Sequence, residues 1–142
     1  ILGDDGEIWH RMGDVGYLDA HGNLWFCGRK AHRVRTDTRT MFSIPTEGIF
    51  NTHPEVFRSA LIGLPCDVPG ALRPALCVEL EATAPSNKHR EICAQLREMA
   101  HADPRTAEIH DILLHPSFPV DVRHNAKIDR PALARWAARI VG

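Results

Sequence analysis

Residues 12–29 read MGDVGYLDAHGNLWFCGR, and this stretch decides how the chain begins to fold. Apolar and aromatic residues stand on both sides of a polar cluster at residues 19–23. Asp, Gly and Asn favour a tight turn, whereas Tyr, Trp and Phe favour strands. The pattern therefore predicts a β-hairpin over residues 15–28 with its turn at residues 19–23.

The rest of the chain predicts a mixture of strands and helices. Three further strands are expected at residues 56–64, 75–80 and 112–114, the first two antiparallel. Helices are expected at residues 45–51, at residues 87–100 with Ser86 as the N-cap, and from Pro131 onward with a stripe of Leu133, Trp136 and Ile140. The charged segment 29–41 is expected to be an exposed connection or an edge strand. We therefore predict an α+β fold, in which the hairpin precedes a small, mostly antiparallel sheet of about three strands flanked by helices.

Composition narrows the class of partners. The 142 residues include 17 basic and 18 acidic side chains, so no basic stripe is available and nucleic acid is not expected as a partner. No apolar run approaches the roughly 20 residues of a membrane helix. The four cysteines stand far apart, which favours reduced thiols and a cytoplasmic location. The chain begins at Ile1 rather than at a methionine, and we expect it to be a piece of a longer protein.

Three short polar pieces carry side chains that can contact a nucleotide. Asp14 stands between two glycines before a strand, where its carboxylate can accept hydrogen bonds from ribose hydroxyls. Arg29 and Lys30 are adjacent cations at the end of the hairpin, and Lys127 lies in a polar loop before the last helix. A cation there can stabilise a developing phosphate anion. Each piece also has a plainer interpretation, as a turn-shaping Asp, a solvated charge pair and a surface lysine.

The order and spacing of these pieces resemble one family. Residues 12–29 are similar to the pattern G-D-x-G-x-x-D-x-x-G-x-(five residues)-G-R of the acyl-adenylate-forming superfamily, which includes acyl-CoA synthetases, adenylation domains and luciferases. Residues 53–70 resemble the run H-P-x-V-x-x-A-x-V-x-G-x-P-D-x-x-x-G of that family, and residues 125–130 resemble its S-G-K-x-x-R motif. The resemblance implies that residues 1–30 are the tail of a large N-terminal domain and that residues 31–142 form the C-terminal lid domain.

The resemblance also implies roles for individual residues. Asp14 would hold the ribose hydroxyls, Arg29 would assist from the far side of the hairpin, and Lys127 would be the adenylation lysine. Lys30 and Ala31 would form the hinge between the two domains. ATP is the implied nucleotide, with Mg²⁺ bound mainly by the N-terminal domain and no metal ion expected in this segment.

Within the superfamily, residues 26–34, 44–54 and 124–127 look most like the β-lactone synthetases of bacterial olefin biosynthesis. That family activates a 2-alkyl-3-hydroxy fatty acid with ATP and closes it to a β-lactone, releasing AMP and pyrophosphate. The implied partners are the chain's own N-terminal adenylation domain, the fatty-acid-derived hydroxy acid and other enzymes of olefin biosynthesis. The alternatives are the lid of a fatty acyl-CoA ligase and a non-catalytic binding module, and the segment alone is expected to be inactive.

Two departures from the family pattern bear on the second half-reaction. Ala31 stands where most relatives carry a hinge Asp, and residues 35–40 contain no glycine where most CoA ligases carry a Lys-x-x-Gly loop. A Cβ in that loop obstructs close backbone approach, which argues against thioester formation with CoA. The substrate's own hydroxyl is then the expected nucleophile. His124 is a candidate base for it, since histidine titrates near neutrality, or it only orders the lysine loop.

Overall fold

The computed structural model describes residues 12–122 and 127–141, which form an α+β fold of short strands and three α-helices. The strands are β1 Asp14–Leu18, β2 Leu24–Arg29, β3 Val34–Arg35, β4 Thr40–Met41, β5 Val56–Pro65, β6 Leu72–Leu80, β7 Asp111–Leu114, β8 Val120–Asp121 and β9 Lys127–Ile128. The helices are α1 Ser43–Phe50, α2 His89–Ala102 and α3 Arg130–Val141, with 3₁₀ turns at Lys30–His32 and Ser86–Lys88. The predicted fold class is confirmed.

The central sheet has the order β5-β6-β7. Strands β5 and β6 are antiparallel, as predicted, and they are joined by the turn rich in Pro and Gly. Strand β7 runs parallel to β6 because α2 lies between them in the chain and serves as the crossover connection that parallel strands need. The sheet therefore has one antiparallel and one parallel pairing.

Both faces of the central sheet are buried. Leu61, Leu76 and Val78 point to the face covered by α1 and α2, while Ala60, Ile62, Ala75 and Cys77 point to the face covered by α3. Successive side chains of a strand alternate between faces, so a strand covered on both sides needs apolar residues throughout. This explains the apolar runs at residues 60–64 of β5 and at residues 74–78 of β6.

The predicted hairpin is confirmed and its turn is held by one carboxylate. Asp19 accepts hydrogen bonds from Trp25 Nε1 at 2.9 Å and from Asn23 Nδ2 at 3.0 Å. The hydrogen bond from Trp25, followed by those from Asn23, lowers the pKa of Asp19 to about 2. The Asp19 carboxylate is therefore ionised throughout the neutral pH range and accepts these hydrogen bonds as an anion.

The helix boundaries differ from the sequence predictions in two places. Helix α1 begins at Ser43, so Pro45 is its third residue rather than its first. Proline is tolerated there because the first backbone N–H groups of a helix have no acceptor within the helix. The prediction that Ser86 caps α2 is wrong. Ser86 begins a 3₁₀ turn and makes no side-chain capping bond to α2.

Helix α3 begins close to the predicted residue, but its buried face differs from the predicted one. The carboxylate of Asp129 accepts a hydrogen bond from the backbone N–H of Ala132 at 2.9 Å, which caps α3. Leu133 and Ala137 are fully buried, whereas Ile140 is 53% exposed. Trp136 packs against the same cluster, so Leu133 and Trp136 are confirmed as stripe residues and the buried face ends before Ile140.

Candidate functional site

A cleft of about 380 Å³ brings together three of the predicted site residues, Asp14, Arg29 and Lys127. Asp14 and Arg29 reach it from the two strands of the hairpin, and Lys127 reaches it from β9. Ser43 and Ile44, at the start of α1, line the same cleft. The fold therefore places one carboxylate and three cations, Arg29, Lys127 and Arg130, around one cavity, and such a set can contact the ribose and phosphates of a nucleotide.

Asp14 and Arg29 are paired across the hairpin. They are direct partners in the register of β1 and β2, and Arg29 Nε lies 3.2 Å from Asp14 Oδ1. Arg29 Nη1 also donates a hydrogen bond to the carbonyl oxygen of Met12 at 2.5 Å. Both side chains are about two-fifths exposed, so the ion pair orients them at the cleft more than it stabilises the fold.

Gly28 allows the hairpin to approach α1. Its φ of 112° lies in the region that favours glycine, and a Cβ built on it would lie 2.4 Å from Ser43 Oγ. Any other residue at this position would have to displace α1 or the end of β2. The glycine before Arg29 is therefore required by the packing that forms the cleft.

A second cleft, of about 600 Å³, lies beside the predicted hinge residues. Lys30 and Ala31 line it together with Arg29, His32 and Lys127, three residues that also line the first cleft. The backbone N–H of Lys30 donates to the carbonyl oxygen of Gly13 at 2.8 Å, which ties the 3₁₀ turn to the hairpin. Both predicted hinge residues are exposed and connect the hairpin to the rest of the fold.

Lys127 is exposed and is positioned by a short hairpin that the sequence did not predict. Strands β8 and β9 pair antiparallel, with Asp121 opposite Lys127. The backbone N–H of Asp129 donates to the carbonyl oxygen of Pro119 at 2.8 Å, which closes this hairpin against the start of α3. His124, the predicted base, lies outside the described residues.

A buried ion pair between Glu47 and Arg130 was missed by the sequence reasoning. Arg130 Nη1 and Nη2 lie 2.6 Å and 3.1 Å from the two carboxylate oxygens of Glu47, and the two side chains are 14% and 9% exposed. Glu47 Oε1 also accepts from the backbone N–H of Leu61 at 2.8 Å. The pair joins α1, β5 and the start of α3, and Arg130 is three residues from Lys127. The sequence offered one indication of this pair: Glu47 is a charged residue within the otherwise uncharged helix α1.

His32 was also missed as a site residue. It is the last residue of the 3₁₀ turn, is half-buried, and lines both clefts. Burial, followed by the charges of Arg130, Arg29 and Lys127, lowers the pKa of His32 below its ordinary value. The imidazole is therefore neutral at neutral pH, with one ring nitrogen able to accept a proton.

The described residues contain neither a group of metal ligands nor a helix that could cross a membrane. In residues 12–122 and 127–141, no three His, Cys, Asp or Glu side chains are grouped so that they could hold a metal ion. The helices within those ranges are too short or too polar to cross a membrane.

Two relatives match nearly the whole chain. The olefin beta-lactone synthetase of Xanthomonas campestris is 52% identical over 133 residues, which cover 94% of this chain and 24% of that protein. The olefin beta-lactone synthetase of Stenotrophomonas maltophilia is 48% identical over 137 residues, which cover 93% of this chain and 23% of that protein. The chain thus spans about a quarter of the length of these relatives. No protein-family model matches it.

Solved structures of the same fold agree with this relationship. ATP-bound MatB from Rhodopseudomonas palustris has a TM-score of 0.73 at 19% identity, over 99% of this chain and 26% of that one. The anthranilate CoA ligase AuaEII in complex with anthranoyl-AMP has a TM-score of 0.73 at 23% identity, over 89% of this chain and 24% of that one. The α+β fold is consistent with the C-terminal lid domain of such enzymes. Because two relatives at 48% and 52% identity match nearly its whole length, the chain belongs to the same family as the olefin beta-lactone synthetases, of which it spans about a quarter.

Proposed function

We propose that the chain is the C-terminal part of an ATP-dependent β-lactone synthetase. The complete enzyme adenylates a 2-alkyl-3-hydroxy fatty acid and closes it to a β-lactone, with release of pyrophosphate and AMP. The observation that carries the proposal is the shared cleft of Asp14, Arg29 and Lys127. Relatives at 48% and 52% identity that are named olefin beta-lactone synthetases support the choice of product.

In this proposal, the hairpin binds the nucleoside. The carboxylate of Asp14 has two oxygens, and these accept hydrogen bonds from the two vicinal hydroxyls of the ATP ribose. Arg29 contacts Asp14 across the hairpin and presents the rest of its planar fork to the cleft. The hairpin is thus assigned the binding and orientation of the ATP nucleoside.

Lys127 is proposed to stabilise the adenylation step. Attack of the substrate carboxylate on the α-phosphorus of ATP brings two anions together and spreads negative charge over the phosphate oxygens. A fixed cation lowers that barrier by charge stabilisation and by positioning. Lys127 is exposed and lines the cleft, so its ammonium can reach a phosphate bound there.

The second half-reaction is proposed to need no CoA. The turn at residues 36–39 is held against the segment before β7, since Thr38 Oγ1 donates to Glu108 Oε1 at 2.8 Å and Arg39 Nη1 donates to the carbonyl oxygen of Pro104 at 2.7 Å. These bonds fix the backbone of a loop that has no glycine, and its Cβ atoms obstruct the close backbone approach that a thiol channel for CoA needs. The substrate's own β-hydroxyl then attacks the acyl-adenylate, and its attachment to the same molecule supplies a high effective concentration.

The proposed domain division assigns residues 1–30 to the tail of an N-terminal adenylation domain and residues 31–142 to the lid. The described part of the hairpin supports this, because its apolar side chains are at least half exposed and need a covering surface. These side chains are Tyr17, Leu18, Leu24, Trp25 and Phe26. Mg²⁺ is assigned to the N-terminal domain. All four thiols are free, which supports a reducing, cytoplasmic location.

The proposal predicts a product that mass spectrometry can identify. The complete enzyme, given ATP, Mg²⁺ and a 2-alkyl-3-hydroxy fatty acid, is expected to form the β-lactone, AMP and pyrophosphate without added CoA. A parallel reaction with CoA should give the same product at the same rate. A strict requirement for CoA with a thioester product would contradict the proposal and favour the acyl-CoA ligase alternative.

The nucleoside role of Asp14 predicts a change in KM. Asp14→Ala in the complete enzyme is expected to raise the KM for ATP by roughly 10-fold or more, since a charge-assisted hydrogen bond contributes about 1.5–3 kcal/mol. The KM for the hydroxy acid should change little. Asp67→Ala, in the exposed turn between β5 and β6, is the matched control and should leave both constants unchanged. An unchanged KM for ATP in Asp14→Ala would remove the carboxylate from the nucleotide site.

A further inference from the structure

His32 occupies a position that no other described histidine shares. It lines both the 380 Å³ cleft and the 600 Å³ cleft, together with Arg29 and Lys127. Among residues 12–122 and 127–141, it is the one histidine that lines either of these two clefts. Its 3₁₀ turn lies between the hairpin and the lid, so the side chain stands where the two parts meet.

Other described histidines have their ring nitrogens or ring faces engaged elsewhere. His53 Nε2 lies 2.8 Å from Gln95 Oε1, and its Nδ1 accepts from the backbone N–H of Glu55 at 3.2 Å. His115 packs edge-on against Trp136, with ring centroids 4.5 Å apart. These histidines contribute to packing and turns rather than to the clefts.

The groups that face His32 favour its neutral form. Arg29 from β2, Lys127 from β9 and Arg130 from α3 all act on it electrostatically, and burial acts in the same direction. A neutral imidazole is a proton acceptor, and an imidazolium formed beside three cations loses its proton readily. The side chain therefore has the state and the setting that a base needs for repeated turnover.

We propose that His32 is the general base that accepts the proton of the substrate's β-hydroxyl group during ring closure. This role rests on the proposed β-lactone synthetase function. The hydroxyl oxygen forms a bond to the acyl carbon, and the bond from that carbon to the phosphate oxygen breaks, with its electron pair leaving on AMP. The hydroxyl proton passes to an imidazole nitrogen of His32, and the imidazolium then releases it to solvent.

A single-turnover experiment on the complete enzyme separates the two half-reactions. With ATP and the hydroxy acid, His32→Gln is expected to release pyrophosphate at the wild-type rate but to form β-lactone about 10²–10⁴-fold more slowly. The acyl-adenylate should accumulate and be detectable by mass spectrometry after acid quench. His101→Gln, on the exposed end of α2, is the matched control and should behave as the wild type.

The pH profile provides a readout that a purely structural role would not change. Because the pKa of His32 is lowered from 6.5, the wild-type rate of ring closure should stay constant at neutral pH and fall only as the pH drops below 6.5. His32→Gln should lack this acidic limb. Added imidazole should restore part of the ring-closure rate in His32→Ala, which also shows that the variant is folded.

The results of these experiments test the role of His32 separately from the proposed β-lactone synthetase function. Equal losses in pyrophosphate release and ring closure, or an unchanged rate of ring closure, would overturn the role of His32 while the β-lactone synthetase assignment stands. Failure of the wild-type enzyme to form any β-lactone would instead overturn the proposed function itself.

Discussion

Lys127→Ala in the complete enzyme is expected to lower the rate of pyrophosphate release by at least about 10²–10³-fold, the usual cost of removing one group that stabilises transition-state charge. The loss should fall on kcat rather than on the KM for ATP, because the lysine acts on charge that develops only during the reaction. Pyrophosphate release in the first turnover is the direct measurement. Ring closure from a chemically prepared acyl-adenylate should be affected far less.

Lys88→Ala is the matched control for this prediction. Lys88 is exposed on the 3₁₀ turn before α2 and lines neither of the two clefts described above. Its variant should release pyrophosphate at the wild-type rate. Unchanged release in Lys127→Ala would show that the similarity of residues 125–130 to the family motif does not extend to its function.

Arg130→Met is expected to have the largest effect on stability. It leaves the Glu47 carboxylate buried without its bidentate partner, and breaking a buried pair in this way typically lowers the free energy of unfolding by about 3–5 kcal/mol. The midpoint of chemical denaturation of the complete protein measures the loss. Faster amide hydrogen exchange in β5 should accompany it, because Leu61 donates its N–H to the same carboxylate.

Two controls test whether the burial of the pair causes that loss. The double variant Glu47→Leu with Arg130→Met removes both charges and should be more stable than Arg130→Met alone. Arg105→Met breaks the exposed pair with Asp103 and should barely change the denaturation midpoint. A loss in Arg105→Met as large as that in Arg130→Met would contradict the argument from burial.

The features that the sequence predicted well are local ones. The hairpin was predictable because residues 19–23 contain turn formers and because Tyr17 and Trp25 favour strands. The start of α3 was predictable because proline is favoured in the first turn of a helix, and Pro131 is the second residue of α3. Ser86 and Ile140 were misassigned since the same residue types also occur in 3₁₀ turns and on exposed helix faces.

The site was predictable in part. Asp14, Arg29 and Lys127 were selected from sequence motifs, and the structure places all three around one cleft. Their roles, and those of Lys30 and Ala31 as the hinge, remain predictions. Sequence reasoning chose His124 as a candidate base because histidine titrates near neutrality, whereas His32 is distant in sequence from Lys127 and lines the cleft with it.

By itself, the sequence determined the fold class, the family resemblance and the candidate residues, since these depend on local residue types and on spacing along the chain. Only the tertiary structure decided which of these residues meet. Asp14 and Lys127 share a cleft because Gly28 lets the hairpin approach α1 and because the Glu47–Arg130 pair joins α1 to the start of α3. Contacts of this kind depend on packing between segments that are far apart in the chain, so a local sequence pattern does not predict them.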